Sequence, residues 1–137
     1  MSAVKELIRT EQNGTISFGD YTLDVKAKLQ DYEFEGDLYK VKTYRDITKL
    51  ERNGMFVYES VPGTAVNEFA AADTGVSFTV EGGQDAQITL GLSDDCEYDV
   101  KIGSEDAGVM KTNRSGKLTL SVELSEGAQA AVEITKR

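Results

Sequence analysis

The sequence predicts an all-β protein in which N-terminal β-hairpins are followed by a small antiparallel β-sandwich. Two observations predict this fold class. Apolar residues recur at every second position in many short runs, which is the period of a strand with one buried face. Between these runs lie pairs and clusters of Gly, Asn, Asp and Ser, the residue types that tolerate turn geometry.

The N-terminal part, residues 1–62, contains two Asn-Gly hairpin signals. Asn13-Gly14 and Asn53-Gly54 favour tight turns, because both central positions of such a turn need a positive φ. The predicted partners are Glu11 with Ile16, Arg9 with Phe18, Glu51 with Phe56, and Lys49 with Tyr58. The two segments resemble each other at a spacing of forty residues. We interpret this likeness as a repeated cation–aromatic contact, with a weak internal duplication as the alternative.

A third hairpin is predicted to turn at Gly36-Asp37. This register places Phe34 opposite Tyr39 and Tyr32 opposite Val41. On the other face it places Glu33 opposite Lys40 and Asp31 opposite Lys42. Opposite charges would then neutralise each other across the strands.

Residues 60–74 are predicted to link the two parts. This segment contains the only proline, Pro62, and an Ala-rich stretch around Phe69. We expect a linker with a short strand through Val66 to Phe69, and a short helix after Thr64 is the alternative. The predicted domain boundary lies between residues 62 and 63. The sequence leaves open whether the two parts share one core.

The C-terminal part, residues 63–137, consists of six alternating runs. Their apolar members are Val76, Phe78 and Val80; Ile88, Leu90 and Leu92; Tyr98, Val100 and Ile102; the segment Gly108–Met110; Leu118, Leu120, Val122 and Leu124; and Ala130, Val132 and Ile134. Each set should line the buried face of a strand. The pattern resembles small immunoglobulin-like sandwich modules of bacterial surface and polysaccharide-acting proteins.

The charge of the chain disfavours several classes of partner. The net charge is −9, and the residues after Pro62 include thirteen acidic and only six basic side chains. Nucleic acid and anionic membranes repel such a chain, so we expect neither as a partner. No apolar run reaches the length of a membrane span, and the first ten residues do not resemble a secretory signal. We therefore expect a cytoplasmic protein.

The absence of histidine restricts the possible chemistry. Histidine-dependent nucleophilic triads and ordinary zinc sites are excluded, and the single Cys96 cannot form an internal disulfide. Carboxylate pairs remain, either Glu33 with Glu35 or Glu97 with Asp99. We interpret both pairs as solvated strand residues and predict no enzyme activity, no cofactor and no metal, with a carboxylate-based glycoside hydrolase as a weak alternative.

Aromatic residues provide the candidate binding surface. Eight of the eleven lie before the linker. We select Tyr21, Tyr32, Phe34, Tyr39 and Tyr58 as a possible ligand or partner surface, since tyrosine combines flat apolar area with a hydroxyl group. The alternative is that these rings form the N-terminal core.

Three segments, 4–9, 39–43 and 47–66, resemble small proteins of Gram-positive bacteria that are labelled endosialidase. The resemblance extends over the whole chain and implies an association with glycans, including sialylated ones. Sialidases carry Ser-x-Asp-x-Gly-x-Thr-Trp boxes, whereas this chain has no tryptophan and therefore no such box. We expect a noncatalytic β protein that binds another protein or self-associates, with carbohydrate binding as the alternative.

Overall fold

In a computed structural model, residues 3–125 and 128–137 are described, and they form an all-β sandwich of two antiparallel sheets. The predicted all-β, sandwich-like fold is confirmed. None of the described residues belongs to a helix that could cross a membrane. The strands of the described residues are β1 (Ile8–Thr10), β2 (Ile16–Phe18), β3 (Ala27–Phe34), β4 (Asp37–Tyr44), β5 (Ile47–Arg52), β6 (Met55–Val61), β7 (Ala65–Ala72), β8 (Gly75–Gly82), β9 (Ala86–Gly91), β10 (Glu97–Ile102), β11 (Glu105–Lys111), β12 (Lys117–Val122) and β13 (Ala128–Lys136).

Both sheets take strands from either side of residue 62. Sheet A has the order β1-β2-β7-β8-β13-β10-β11, and sheet B has the order β12-β9-β6-β5-β4-β3. The pairs β2–β7 and β6–β9 join the N-terminal strands to the C-terminal strands. The hairpins of the N-terminal part therefore belong to the same two sheets as the later strands.

An aromatic cluster shows that the two parts share one core. The ring centroid of Phe18 lies 5.2 Å from that of Tyr58 and 5.6 Å from that of Phe69. Tyr58 also contacts Phe78 at 5.8 Å. All three contacts are close to perpendicular, an arrangement that aromatic pairs favour in protein interiors. These rings come from both sides of residue 62, which answers the question that the sequence left open.

The six C-terminal runs form strands β8 to β13, as predicted. Their inward residues include Val76, Phe78 and Val80 of β8, which are all buried. In β12 the burial alternates strictly, with Leu118 and Leu120 inside and their neighbours exposed. The two-residue period of the sequence thus marks the buried face of these strands, with the exception of β11. In β11 only Met110 is partly buried, so the prediction that the Gly108–Met110 segment lines a buried face is wrong.

The short strand expected through Val66 to Phe69 is confirmed as part of β7, whereas the linker expected around it and the alternative helix are wrong. Strand β6 continues to Val61, and β7 spans eight residues that pair with β8. Val66 and Phe69 of β7 are buried in the core. The helix preference of the alanines is a weak local effect, and burial of these apolar side chains together with the sheet hydrogen bonds outweighs it.

A buried hydroxyl network holds the connection between β6 and β7. The Oγ1 atom of Thr48 accepts a hydrogen bond from the backbone N–H of Thr64 at 3.1 Å and donates one to the Thr64 carbonyl at 2.8 Å. Thr43 Oγ1 lies 2.8 Å from Thr48 Oγ1, and the Thr64 hydroxyl lies 2.8 Å from both the Tyr58 and Ser60 hydroxyls. All five residues are fully buried. Their polar groups therefore depend on one another for hydrogen bonds.

The two Asn-Gly hairpins differ in register. In the first, Arg9 lies opposite Ser17 and Thr10 opposite Ile16, so the predicted Arg9–Phe18 and Glu11–Ile16 pairs are both wrong. Gly14, at a φ of 83°, lies in the three-residue loop that connects these strands. The added loop residue shifts every pair by one position.

In the second hairpin the predicted Glu51–Phe56 pair is confirmed. A bulge beyond this pair places Lys49 opposite Glu59, so the predicted Lys49–Tyr58 pair is wrong. The Lys49 Nζ nevertheless lies 6.0 Å from the ring centroid of Phe56. A cation–aromatic contact is therefore present in this hairpin, but with a different ring.

Candidate binding surface

The turn of the β3–β4 hairpin lies at Glu35-Gly36, one residue before the predicted position. Both residues have a positive φ, 51° for Glu35 and 84° for Gly36, which is typical of a two-residue hairpin turn. Phe34 therefore lies opposite Asp37, and Tyr32 lies opposite Tyr39. The predicted pairs of this hairpin are wrong.

A bulge follows in β3 between Leu29 and Tyr32, where Asp31 has a φ of 59°. Beyond it Lys28 lies directly opposite Lys42, and Lys42 lies directly opposite Lys49 in the next strand. Three lysines thus form a row across β3, β4 and β5 on the outer face of sheet B. Lys40 is on the same face, opposite Glu51. We call Lys28, Lys40, Lys42 and Lys49 the lysine face.

The lysine face is only partly neutralised by its surroundings, because Glu51 lies opposite Lys40 and Glu59 lies opposite Lys49. Lys49 Nζ lies 3.6 Å from a carboxylate oxygen of Glu51, and both side chains are partly exposed. Within the described ranges, Lys28, Lys40 and Lys42 form no ion pair. The four lysines and Glu51 surround a depression of about 180 Å³. A concave surface with an excess of charges of one sign, here four lysines against one glutamate, attracts counter-charges more strongly than scattered charges do.

The outer face of sheet B continues beyond the lysines with aromatic and hydroxyl groups. The Phe56 ring lies 6.0 Å from Lys49 Nζ and 4.6 Å from Lys117 Nζ. Further along, the hydroxyls of Thr89 and Thr119 lie 3.1 Å apart. This face therefore offers cations, one aromatic ring and hydroxyl groups to a binding partner.

Sequence reasoning missed the lysine face because it assigned the wrong turn. The lysines at positions 40 and 42 were visible at strand spacing, but the predicted register gave each an acidic partner. With the turn one residue earlier and a bulge in β3, those partners move away. The sequence signal that could have revealed the cluster is the presence of lysines at equivalent positions of three consecutive strands.

Two of the five predicted aromatic residues are buried in the core. Tyr58 is 0% exposed and Tyr39 is 7% exposed. Burial raises the pKa of the Tyr58 phenol, since a charged phenolate loses its hydration there. Neither ring is available for stacking on a ligand, so these tyrosines do not form an exposed row.

The other three predicted residues, Tyr21, Tyr32 and Phe34, each contact a different part of the protein. The Tyr21 hydroxyl donates a hydrogen bond to Glu81 at 2.6 Å on sheet A. Tyr32 connects the edges of the two sheets through a contact of 2.8 Å between its hydroxyl and that of Thr10. The Phe34 ring packs against Tyr39 with centroids 6.1 Å apart. Whether Tyr21, Tyr32 and Phe34 contact a partner stays a prediction.

The carboxylate pairs lie on exposed surfaces. Glu33 is in β3 and Glu35 in the adjacent turn, whereas Glu97 and Asp99 are both in β10. Asp99 lies 3.9 Å from the guanidinium of Arg137. Within residues 3–125 and 128–137, no group of three or more His, Cys, Asp or Glu side chains is placed to hold a metal ion. The expectations about enzyme activity stay predictions.

Comparisons with known proteins give no relative for this chain. No protein-family model, no curated protein and no solved structure matches it significantly. The resemblance to proteins labelled endosialidase and the likeness to immunoglobulin-like modules stay predictions. The candidate surface therefore has to be judged on its own geometry and charge.

Proposed function

We propose that this protein is a noncatalytic β protein that binds through the lysine face, and that its partner is an acidic surface on a second copy of the chain. The row of Lys28, Lys42 and Lys49 carries this proposal. Like charges placed directly opposite each other in a sheet destabilise it. Natural sequences break such local rules mainly where function requires it.

The remainder of the chain supplies a complementary surface. The whole protein has a net charge of −9 in spite of its four clustered lysines. Asp94, Asp95, Glu97 and Asp99 are all exposed around the start of β10. A contact between this acidic segment of one copy and the lysine face of another uses two different surfaces. Such head-to-tail contacts produce rings or open chains.

The solution mass at low and high salt, measured by light scattering over a range of protein dilutions, tests the proposal. We expect oligomers at low salt that dissociate at high salt, because salt screens exposed charges. The Lys42→Glu variant should be monomeric under both conditions. The matched control Lys5→Glu changes an exposed lysine outside the lysine face, and it should retain the oligomer. A wild-type protein that is monomeric at every dilution and salt concentration would exclude self-association.

Acidic carbohydrate is the second candidate ligand, and one observation favours it. The depression of about 180 Å³ is lined by four lysines and Glu51 and lies next to the Phe56 side of the same sheet. A sugar carboxylate or sulfate suits such a basic depression, and an aromatic ring suits the apolar face of a sugar. Calorimetric titration with acidic oligosaccharides, sialylated glycans included, should show binding that Lys42→Glu abolishes. Binding that is unchanged by this substitution would exclude the lysine face as the glycan site.

A further inference from the structure

A cleft opens between the two sheets at the end of the sandwich that contains the β5–β6 and β7–β8 hairpins. Its volume is about 440 Å³. Cavities of this size are typical of small-molecule sites, which range from roughly 300 to 1,000 Å³. The cleft lies at a different place from the depression of the lysine face, and the two share no lining residue.

The floor of the cleft is built on apolar core side chains, whereas polar and apolar atoms contribute about equally to the exposed lining of the cleft. The floor is formed by side chains of both sheets: Val57, Phe69, Val76, Leu90 and Tyr98. All five are buried, so the floor belongs to the packed core and is held in place. The small exposed residues Ala71 and Ala72 line the side formed by β7. Their size leaves room for a ligand above the apolar floor.

The rim of the cleft carries three charged side chains, Arg52, Asp73 and Lys117. All three are exposed. In the part of the chain that the structure describes, neither Arg52 nor Asp73 forms an ion pair. Lys117 contacts the Phe56 ring and also lines the cleft. The three rim side chains therefore carry a net charge of +1, although the protein as a whole is strongly acidic.

We propose that this cleft binds a small organic monoanion with an apolar body about the size of one or two rings. The apolar body lies against the buried floor, where it is removed from water. The anionic group pairs with Arg52 and Lys117, since a guanidinium offers several N–H donors to a carboxylate, sulfonate or phosphate. Asp73 on the same rim makes a polyanion a poor fit.

Anilinonaphthalene sulfonate, an aromatic monoanion whose fluorescence rises in apolar surroundings, is a suitable probe. We expect saturable binding of one probe per folded chain. Ala71→Phe fills the cleft and should abolish this binding. The matched control Ala70→Phe changes the adjacent exposed residue of the same strand, which does not line the cleft, and it should bind the probe as the wild type does.

Arg52→Ala tests the charged rim without changing the core. This variant should weaken probe binding by about tenfold, which corresponds to the loss of one charge-assisted hydrogen bond. Lys42→Glu changes the lysine face and should bind the probe as the wild type does. Probe binding to the cleft therefore tests the cleft separately from the function proposed for the lysine face. Backbone amide NMR should show shifts confined to the cleft hairpins.

Three results would overturn the proposal. The first is the absence of saturable binding to the folded wild-type protein. The second is binding that neither Ala71→Phe nor Arg52→Ala changes. The third is a set of amide shifts centred on another part of the sandwich, which would mean that the probe binds elsewhere.

Discussion

Substitution of Thr48 by valine removes the centre of the buried hydroxyl network while keeping the shape of the side chain. Thr48 Oγ1 bonds to Thr43 Oγ1 at 2.8 Å, to the Thr64 carbonyl at 2.8 Å and to the Thr64 N–H at 3.1 Å. In the variant, the Thr64 N–H, the Thr64 carbonyl and the hydroxyl proton of Thr43 lose this partner in a region that is fully buried. Each unsatisfied buried group costs about 1–3 kcal/mol, so we expect Thr48→Val to lower the free energy of unfolding by about 2–4 kcal/mol.

Urea unfolding followed by circular dichroism and tyrosine fluorescence measures this loss. The same loss should lower the midpoint of thermal unfolding by roughly 6–15 °C for a chain of this size. Thr119→Val is the matched control, because Thr119 is an exposed strand residue, and its effect should remain within about 0.5 kcal/mol. Circular dichroism and tyrosine fluorescence should give the same unfolding midpoint, since the parts before and after residue 62 share one core. A decrease in the free energy of unfolding of less than about 1 kcal/mol for Thr48→Val would refute this account of the network.

Three further substitutions test the electrostatics of the fold by urea unfolding. Lys42→Gln removes the like-charge contacts with Lys28 and Lys49 and should raise the free energy of unfolding by roughly 0.5 kcal/mol at low salt and by less at high salt; a loss of stability would contradict the predicted repulsion. Burial raises the pKa of Tyr58 above its ordinary value of 10.0, so the stability of the wild type should be intact below that pH and fall above it, and Tyr58→Phe should lack this part of the fall. Hydrogen bonding by Ser17, together with Arg9, lowers the pKa of Glu11 below its ordinary value of 4.5, so its stabilising effect is present above that pH and is lost as the pH falls through the lowered pKa. In Glu11→Gln, acid unfolding should show a smaller pH dependence, and an unchanged profile would contradict this role.

The sequence by itself determined the strands of the C-terminal part and, except in β11, the residues that they bury. Val76, Phe78 and Val80 illustrate why, since a side chain in a strand points to the face opposite its neighbour's. This period is a local property of the backbone and can be recognised without knowing the pairing partner. The position of the Asn53-Gly54 turn was equally local, because the turn depends on two adjacent residues that tolerate a positive φ.

Only the tertiary structure decided the register and the partners of the N-terminal strands. In the β3–β4 hairpin, turns at Glu35-Gly36 and at Gly36-Asp37 would place Tyr39 and Val41 on the same face, and only the structure shows that the turn lies at Glu35-Gly36. The bulge at Asp31 then brings Lys28 opposite Lys42. A shift of one residue exchanges the partners of every side chain in a hairpin, so the lysine face could not be predicted before the register was known.

The same reason explains the shared core and the burial of Tyr58. Whether β2 pairs with β7, and β6 with β9, depends on which apolar faces cover each other over long distances in the chain. Local propensity contains no information about such contacts. The sequence therefore determined where strands form and which of their faces are apolar, whereas the tertiary structure decided which faces meet and which charged side chains become neighbours, because pairing and burial are optimised over the whole chain at once.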